Sequence, residues 1–186
     1  PTQMTSAGVD KTNLRQYVEK ICKANRIKCE CIRCREIGFN LKNKKIDLQD
    51  KKIDFQKVNF FDINIIEYEA SHGRELFIEA IDVENDILYG FCRMRLPSQF
   101  LRPEITKDSA LIRELHVFSS SVQIGKRADE SIQHRGIGKN LLKKAEEIAI
   151  EKGKDKMIII SGIGAREYFR KLGYELEGVY MFKKLV

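Results

Sequence analysis

The spacing of apolar residues predicts a helix at the start of the chain and strands after it. In residues 10–25 the apolar side chains recur at the spacing of one helix face, and Asp10 or Thr12 can cap that helix. The residues of this stripe are Leu14, Val18, Ile21 and Cys22. Runs at 58–70, 74–83 and 87–96 have strand character, and residues 84–86 predict a hairpin turn. Residues 97–108 contain two prolines and predict a loop.

The second half of the chain alternates strands and helices. Residues 110–118 predict a strand, and a polar loop follows at 119–132. Residues 139–152 predict a helix that ends at Gly153, since apolar residues recur at helical spacing: Ile137, Leu141, Leu142, Ala145, Ile148 and Ala149. A strand at 156–161, a short helix at 165–172 and one or two strands at 174–185 follow. This order predicts an α+β fold with a mixed, mostly antiparallel sheet flanked by helices.

Residues 39–56 are polar and contain an imperfect repeat, in which Lys-Ile-Asp recurs at 45–47 and 52–54. Two copies are too few for a repeat fold, so this stretch is interpreted as a connecting hairpin or an extended linker. The sequence therefore predicts a helix and cysteine-rich linker at 1–56 and a domain at 57–186.

Charge and composition narrow the class of protein. The net charge is +7, which indicates either a solvated basic surface or a polyanionic partner such as nucleic acid or coenzyme phosphates. No run of 18 apolar residues occurs, so no membrane span is predicted. The chain begins Pro-Thr-Gln-Met without a signal peptide, which suggests a piece of a longer protein. Five cysteines, an odd number, favour a reducing, cytoplasmic compartment over a disulfide framework.

Three of those cysteines form a C-x-C-x-x-C stretch: Cys29, Cys31 and Cys34. Three thiolates within six residues match the short loops that hold zinc tetrahedrally, and one further ligand is needed. The alternatives for that ligand are His72, His116 and Cys22. A redox-active pair is disfavoured, because no thioredoxin-like strand–helix frame surrounds the motif.

A glycine-containing loop precedes the long helix. Residues 133–138 read Gln-His-Arg-Gly-Ile-Gly and resemble Q/R-x-x-G-x-G/A, the pyrophosphate loop of the GNAT acetyltransferases. Gly136 and Gly138 let the backbone approach a phosphate closely, and a helix N-terminus is an anion site. The resemblance implies that acetyl-CoA binds to this loop and to the preceding strand, through Leu115, His116, Val117, Phe118, Gln133, His134, Arg135, Gly136, Ile137, Gly138 and Lys139.

Residues 165–174 resemble a second GNAT element, A-x-x-F-Y-x-K-x-G-F/Y, in which a tyrosine lies near the thioester sulfur. Here Phe169 occupies the tyrosine position and Tyr168 precedes it. Either Tyr168 protonates the departing thiolate or it is a half-buried core aromatic. Glu114 is a candidate general base or a solvent-facing carboxylate, and His116 shares its strand face.

Several motifs together resemble the catalytic subunit of Elongator, a family of tRNA wobble-uridine carboxymethyltransferases. They lie at 6–9, 33–38, 69–71, 113–117, 133–138 and 160–164. The resemblance implies a missing N-terminal radical-SAM domain with an iron–sulfur cluster and S-adenosylmethionine. The charge and cysteine pattern suggests an archaeal or bacterial member of the family. The acetyl methyl carbon would be transferred as a radical to carbon 5 of uridine. The alternatives are an ordinary GNAT N-acetyltransferase acting on lysine or small amines, and a zinc-containing RNA-binding module.

The resemblance also implies tRNA as a partner, bound at its anticodon stem-loop. Basic residues that could contact its phosphates are Lys42, Lys44, Lys45, Lys51, Lys52, Lys126 and Arg127. Aromatic residues are not interleaved with these basic runs, so no base-stacking platform is predicted. We therefore expect weak binding by this chain and base recognition mainly in the missing domain.

Overall fold

The computed structural model describes residues 13–42, 61–118 and 136–185. The predicted caps at Asp10 and Thr12, the linker beyond residue 42, the polar loop at 119–132 and residues 133–135 lie outside these ranges. The chain divides into two compact units, Pro1–Cys34 and Arg35–Val186.

The first unit contains the predicted N-terminal helix, α1 (Leu14–Ala24), which begins later than expected. A second helix, α2 (Ile32–Arg35), is one turn long and begins within the cysteine motif. No side chain of α1 is buried, and Leu14 and Ile21 of the apolar stripe are each 59% exposed.

The second unit is built on a seven-stranded sheet with the order β1-β2-β3-β4-β5-β7-β6. All neighbouring strands are antiparallel except β4 and β5, which are parallel. The strands are β1 (Asp62–Ala70), β2 (Gly73–Asp82), β3 (Ile87–Leu96), β4 (Ser109–Val117), β5 (Lys156–Ile159), β6 (Glu175–Glu177) and β7 (Tyr180–Lys184). The α+β fold and the mostly antiparallel sheet predicted from the sequence are confirmed.

Helix α4 (Ile137–Glu151) packs on the sheet with the face that its sequence predicts. Its buried residues include all six of the predicted apolar positions. Gly153 ends the helix with φ 72°, and its N–H donates to the Ile150 carbonyl at 2.8 Å. The left-handed conformation costs glycine little, which explains this residue at the stop.

Two features of the second unit differ from the prediction. Residues expected to start a linker at 39 belong to helix α3 (Ile37–Lys42), and Ile37 is fully buried in the core. Arg35 pairs with Glu79 at 2.6 Å and with Asp86 at 2.7 Å. These contacts attach the start of the second compact unit, which begins at Arg35, to the sheet, and a domain boundary at residue 57 stays a prediction.

The C-terminal part of the chain contains a short helix and the last two strands of the sheet. A 3₁₀ turn (Ile163–Ala165) leads into α5 (Arg166–Arg170), which is shorter than predicted. The helix ends early because Gly173 takes φ 85°, and the N–H groups of Leu172 and Tyr174 both donate to the Phe169 carbonyl. The Tyr174 hydroxyl donates to Glu146 of α4 at 2.6 Å. In the described ranges, no helix is long and apolar enough to cross a membrane.

Candidate functional site

The parallel strands β4 and β5 separate part-way along the sheet. Their pairing runs from Ser109 opposite Lys156 to Ile112 opposite Ile159, and the Ile160 N–H still bonds to the Ile112 carbonyl at 3.0 Å. Beyond that point β4 continues to Val117, whereas β5 has ended. Residues 113–117 therefore present backbone N–H and C=O groups on an edge to which no strand of the described chain pairs.

A β-bulge in β4 lies where the two strands separate. Arg93 of β3 is opposite Glu114, but the next residue, Met94, is opposite Ile112, so Arg113 is the extra residue. A bulge bends a strand and increases its local twist. The bulge at Arg113 thus helps to turn the end of β4 away from β5.

The N-terminus of α4 has the features of an anion site. Gly136 occupies the N-cap position with φ 77°, and no side chain caps the helix there. A Cβ built on Gly136 would meet nothing within 4 Å, so no described residue fills the space next to this N-cap. The first N–H groups of a helix have no intrahelical partner and favour negative charge. These features fit the pyrophosphate of a coenzyme.

Gly138 lies where three elements meet. A Cβ built on this residue would lie 2.9 Å from the Tyr168 hydroxyl and 3.4 Å from Cγ2 of Val117. Glycine leaves room for this close packing, because a Cβ here would have to displace the Tyr168 hydroxyl. The structure thus places the strand edge, the first turn of α4 and Tyr168 of α5 beside one another, as the two sequence motifs implied.

The adjacent aromatics of α5 have different environments. Phe169 is buried and packs edge-on against Tyr174, with ring centroids 6.0 Å apart. Tyr168 is 42% exposed, and partial burial raises its pKa above the ordinary value. Its phenol is therefore protonated at neutral pH. The Tyr168 side chain extends toward the first turn of α4, where its hydroxyl lies beside Gly138.

Glu114 and His116 lie on the exposed part of β4. The Glu114 carboxylate accepts a hydrogen bond from Arg93 at 3.3 Å, and its side chain is 47% exposed. The imidazole of His116 is exposed and stacks on Phe91 with 5.9 Å between ring centroids. Glu114 is accessible to a substrate or to water, and a base role for it stays a prediction.

A buried carboxylate beside this strand was not predicted from the sequence. Glu75 of β2 is fully buried and accepts hydrogen bonds from Arg95 at 2.9 Å and Arg113 at 2.7 Å. Arg93 lies 3.9 Å away. Burial alone would raise the pKa of Glu75, but the two guanidinium hydrogen bonds outweigh it and lower the pKa. Only cross-strand register reveals this cluster, since its members are far apart in sequence.

The three cysteines of the first unit form a cluster. Their Sγ atoms all lie within 4.8 Å of one another, which is close enough for Cys29, Cys31 and Cys34 to share one metal ion. Arg15 of α1 donates to the Cys34 sulfur at 3.4 Å. Burial would raise the pKa of Cys31, but hydrogen bonds from the Cys34 backbone, neighbouring thiols and Arg15 lower it to about 7. Thiolates close together beside a guanidinium fit a zinc ion.

The other cysteines are not part of this cluster. Cys22 is half-buried on α1 and Cys92 is fully buried in β3, where burial raises its thiol pKa to about 12. His72 and His116 belong to the second unit. The fourth ligand therefore stays a prediction.

Comparisons with known proteins agree with this geometry. The model of the Acetyltransferase (GNAT) family matches residues 46–174. A tRNA uridine(34) acetyltransferase of Methanocaldococcus jannaschii is 43% identical over 100% of this chain and 33% of that protein. Elongator complex protein 3 of Danio rerio is 39% identical over 100% of this chain and 32% of that protein.

A solved structure extends the similarity to three dimensions. An N-terminally truncated archaeal Elp3 from Methanocaldococcus infernus is 40% identical and superimposes with a TM-score of 0.77, covering 94% of this chain and 39% of that one. The chain spans about a third of the length of the curated relatives it matches.

Proposed function

We propose a function from the premise that this chain belongs to the GNAT family of acetyltransferases: it is the acetyl-CoA-binding part of a longer enzyme that modifies uridine 34 of tRNA. Family membership rests on the match over residues 46–174, more than half of the chain. The observation that carries the acetyl-CoA assignment is the separation of β4 from β5 beside the Gly136-capped helix. The tRNA assignment is supported by relatives about 40% identical over the whole chain.

The backbone of this chain would hold the coenzyme in two places. The edge at 115–118 offers N–H and C=O groups to the amide-containing arm, as one strand would to another. Gly136 and the first turn of α4 offer N–H groups to the pyrophosphate, and the motif at 133–138 predicts further donors. Bound acetyl-CoA would supply the two-carbon acyl group. Binding through backbone atoms explains why the site requires glycines rather than charged side chains.

Two side chains would handle protons beside the acyl group. Tyr168 holds a proton on its hydroxyl at neutral pH, because burial raises its pKa, and can donate it to a departing thiolate. Glu114 presents a carboxylate on β4, where it can accept a proton from water. These are proposed roles, and each is separable by substitution.

The remaining two-thirds of the longer protein would supply the rest of the chemistry. The resemblance to the Elongator catalytic subunit assigns it a radical-SAM domain with an iron–sulfur cluster and S-adenosylmethionine. The relatives' greater length supports an additional domain of that kind. The role of the present chain is to bind and orient acetyl-CoA next to that domain.

A structural zinc ion in the first unit is the second part of the proposal. Cys29, Cys31 and Cys34 would be three of its ligands. Elemental analysis of protein purified without added metal should show close to one zinc per chain, and serine at all three positions should remove it. Zinc-free protein that melts at the same temperature as zinc-loaded protein would contradict this assignment.

The reaction itself distinguishes the proposal from an ordinary N-acetyltransferase. The longer protein should be incubated with acetyl-CoA labelled in the acetyl methyl carbon, together with tRNA or with lysine peptides. We expect label on carbon 5 of uridine 34, detected by mass spectrometry of digested nucleosides. Label on lysine, and none on tRNA, would establish the N-acetyltransferase alternative instead.

A further inference from the structure

Three rings form an aromatic stack across β2, β3 and β4: Phe77, Phe91 and His116. Phe77 and Phe91 have centroids 4.9 Å apart and planes inclined by 29°. Phe91 and His116 are 5.9 Å apart and nearly parallel, at 11°. Phe91 is buried, whereas the His116 ring is exposed. Phe77 is half-buried, so the buried ring is the middle one and the His116 end of the stack lies on the surface.

The exposed end of the aromatic stack lies at the edge of β4 that β5 has left. Phe118 does not extend the stack, although its centroid is 4.7 Å from that of His116. Its centroid is also only 6.0 Å from that of Phe91, so Phe118 lies alongside both rings rather than beyond His116. Among the described residues the outer face of His116 is thus available to one more flat ring.

Fixed positive charge lies next to the same end. Arg93 is two residues from Phe91 on β3 and so shares its face, and its side chain is 34% exposed. Arg113, at the bulge of β4, is 42% exposed. The buried carboxylate of Glu75 holds Arg113 at 2.7 Å and Arg93 at 3.9 Å. Arg93 also donates to Glu114 at 3.3 Å. Because each guanidinium has five N–H donors, both arginines retain donors for a further anionic partner.

We infer that the end of the aromatic stack is a nucleobase subsite, in which one unpaired pyrimidine of an RNA strand stacks on His116 while Arg93 and Arg113 contact the adjacent phosphates. This inference rests on the proposed function and adds a recognition element to it. A flat ring next to guanidinium groups is how single-stranded nucleic acid is bound without base-specific hydrogen bonds. An aliphatic lysine substrate has no flat ring to stack there.

The sequence predicted no such platform, because its basic runs contain no interleaved aromatics. The register of the sheet changes that conclusion: β3 carries Phe91 and Arg93 on one face, and β4 brings His116 opposite Phe91. Base contacts would then be shared between this chain and the rest of the longer protein.

The test compares two RNA hairpins of the anticodon stem-loop sequence, one with uracil at position 34 and one abasic there. Affinity for the longer protein is measured by fluorescence anisotropy for wild type, His116→Ala and His116→Phe. Loss of one base–aromatic stack should weaken binding of the uracil hairpin by about 10-fold in His116→Ala. The abasic hairpin should change by less than about 2-fold, and His116→Phe should keep most of the affinity, since stacking is retained.

Arg93→Gln provides an independent readout. It should weaken both hairpins alike and reduce the dependence of log affinity on log salt by about one unit. Phe100→Ala is the control, because Phe100 is a 49% exposed aromatic in the loop after β3, and it should alter neither hairpin. Melting temperatures of all variants establish that each is folded.

Three results would overturn the inference. One is a His116→Ala protein that binds the uracil hairpin as wild type does. Another is an equal loss for both hairpins, which would show a general structural effect. The third is selective loss in Phe100→Ala as well. A wild-type protein that binds neither hairpin would remove the proposed function along with the inference, whereas the first two results leave tRNA binding intact.

Discussion

Alanine substitutions of the glycines at the two ends of α4 distinguish an effect on stability from an effect on ligand binding. Gly136 and Gly153 flank this helix with nearly the same left-handed backbone, φ 77° and 72°. A Cβ at either residue would meet nothing within 4 Å. Each alanine substitution therefore introduces the same strain and no clash. Only Gly136 lies at the proposed pyrophosphate site.

The magnitudes follow from this matched geometry. A non-glycine residue in the left-handed region costs about 1–2 kcal/mol. Both variants should lose about that much stability, which corresponds to a fall in melting temperature of about 2–4 °C per kcal/mol for a domain of this size. Gly136→Ala should also weaken CoA binding by at least about 10-fold, equivalent to about 1.4 kcal/mol, because the N–H groups of the first turn are displaced.

Gly138→Ala supplies the complementary case. Its Cβ would displace the Tyr168 hydroxyl, which lies at the end of a partly exposed side chain and can move at low cost. Alanine is favoured over glycine in a helix by about 1 kcal/mol, so stability should change by less than about 0.5 kcal/mol. CoA affinity should still fall.

Denaturant unfolding and isothermal titration calorimetry with CoA measure the two quantities on the same samples. If Gly153→Ala weakens CoA binding as much as Gly136→Ala does, then the loss comes from stability. If Gly136→Ala binds CoA as tightly as wild type, the N-terminus of α4 is not the anion site.

Three further outcomes are expected. In the longer protein, Tyr168→Phe should slow tRNA-stimulated thioester cleavage at least about 10-fold, and a wild-type rate in the variant would exclude the acid role. Because burial raises the pKa of Tyr168 from 10.0, the wild-type rate should not fall through ionisation of the phenol below pH 10. Arg15→Gln should lower the zinc affinity measured by chelator competition, because Arg15 donates to a sulfur of the thiol cluster. Arg15→Lys should retain part of the wild-type affinity, and a Gln variant that binds zinc as tightly as wild type would contradict this role of Arg15. Glu75→Gln should cost about 2–3 kcal/mol at pH 7, as it leaves a buried amide in place of the carboxylate and removes the anion that pairs with the mostly buried Arg95 and the partly exposed Arg113. Because the folded-state pKa of Glu75 is lowered, its contribution is fully present above its ordinary value of 4.5 and is lost as the pH falls through the folded pKa, so a difference from wild type that does not shrink in acid would be inconsistent with this mechanism.

Features with a local periodic signal were predictable from the sequence. The buried face of α4, its glycine stop and the bounds of β3 follow from apolar spacing and turn chemistry. The two GNAT motifs also predicted a site that combines the strand edge, the phosphate loop and Tyr168, and of its described residues Val117, Gly138 and Tyr168 lie beside one another.

Features that depend on strand register were not predictable in this way. Glu75 looks like a solvent-facing strand residue until β3 and β4 place arginines around it. Arg35 was assigned to the cysteine-rich linker, yet its partners Glu79 and Asp86 lie 44 and 51 residues away, on β2 and in the turn before β3. Whether Tyr168 is a core aromatic depended on which side of a short helix faces the core, and a five-residue helix has too little periodicity to reveal that.

The most direct test of the proposed function is the rate of acetyl-CoA thioester cleavage by the longer protein that contains this chain, with and without its tRNA. If this chain presents acetyl-CoA to a tRNA-modifying site, cleavage should be slow alone and should rise at least about 10-fold on addition of tRNA that carries uridine at position 34. A rate that does not respond to tRNA, or that responds to lysine peptides instead, would contradict the proposal.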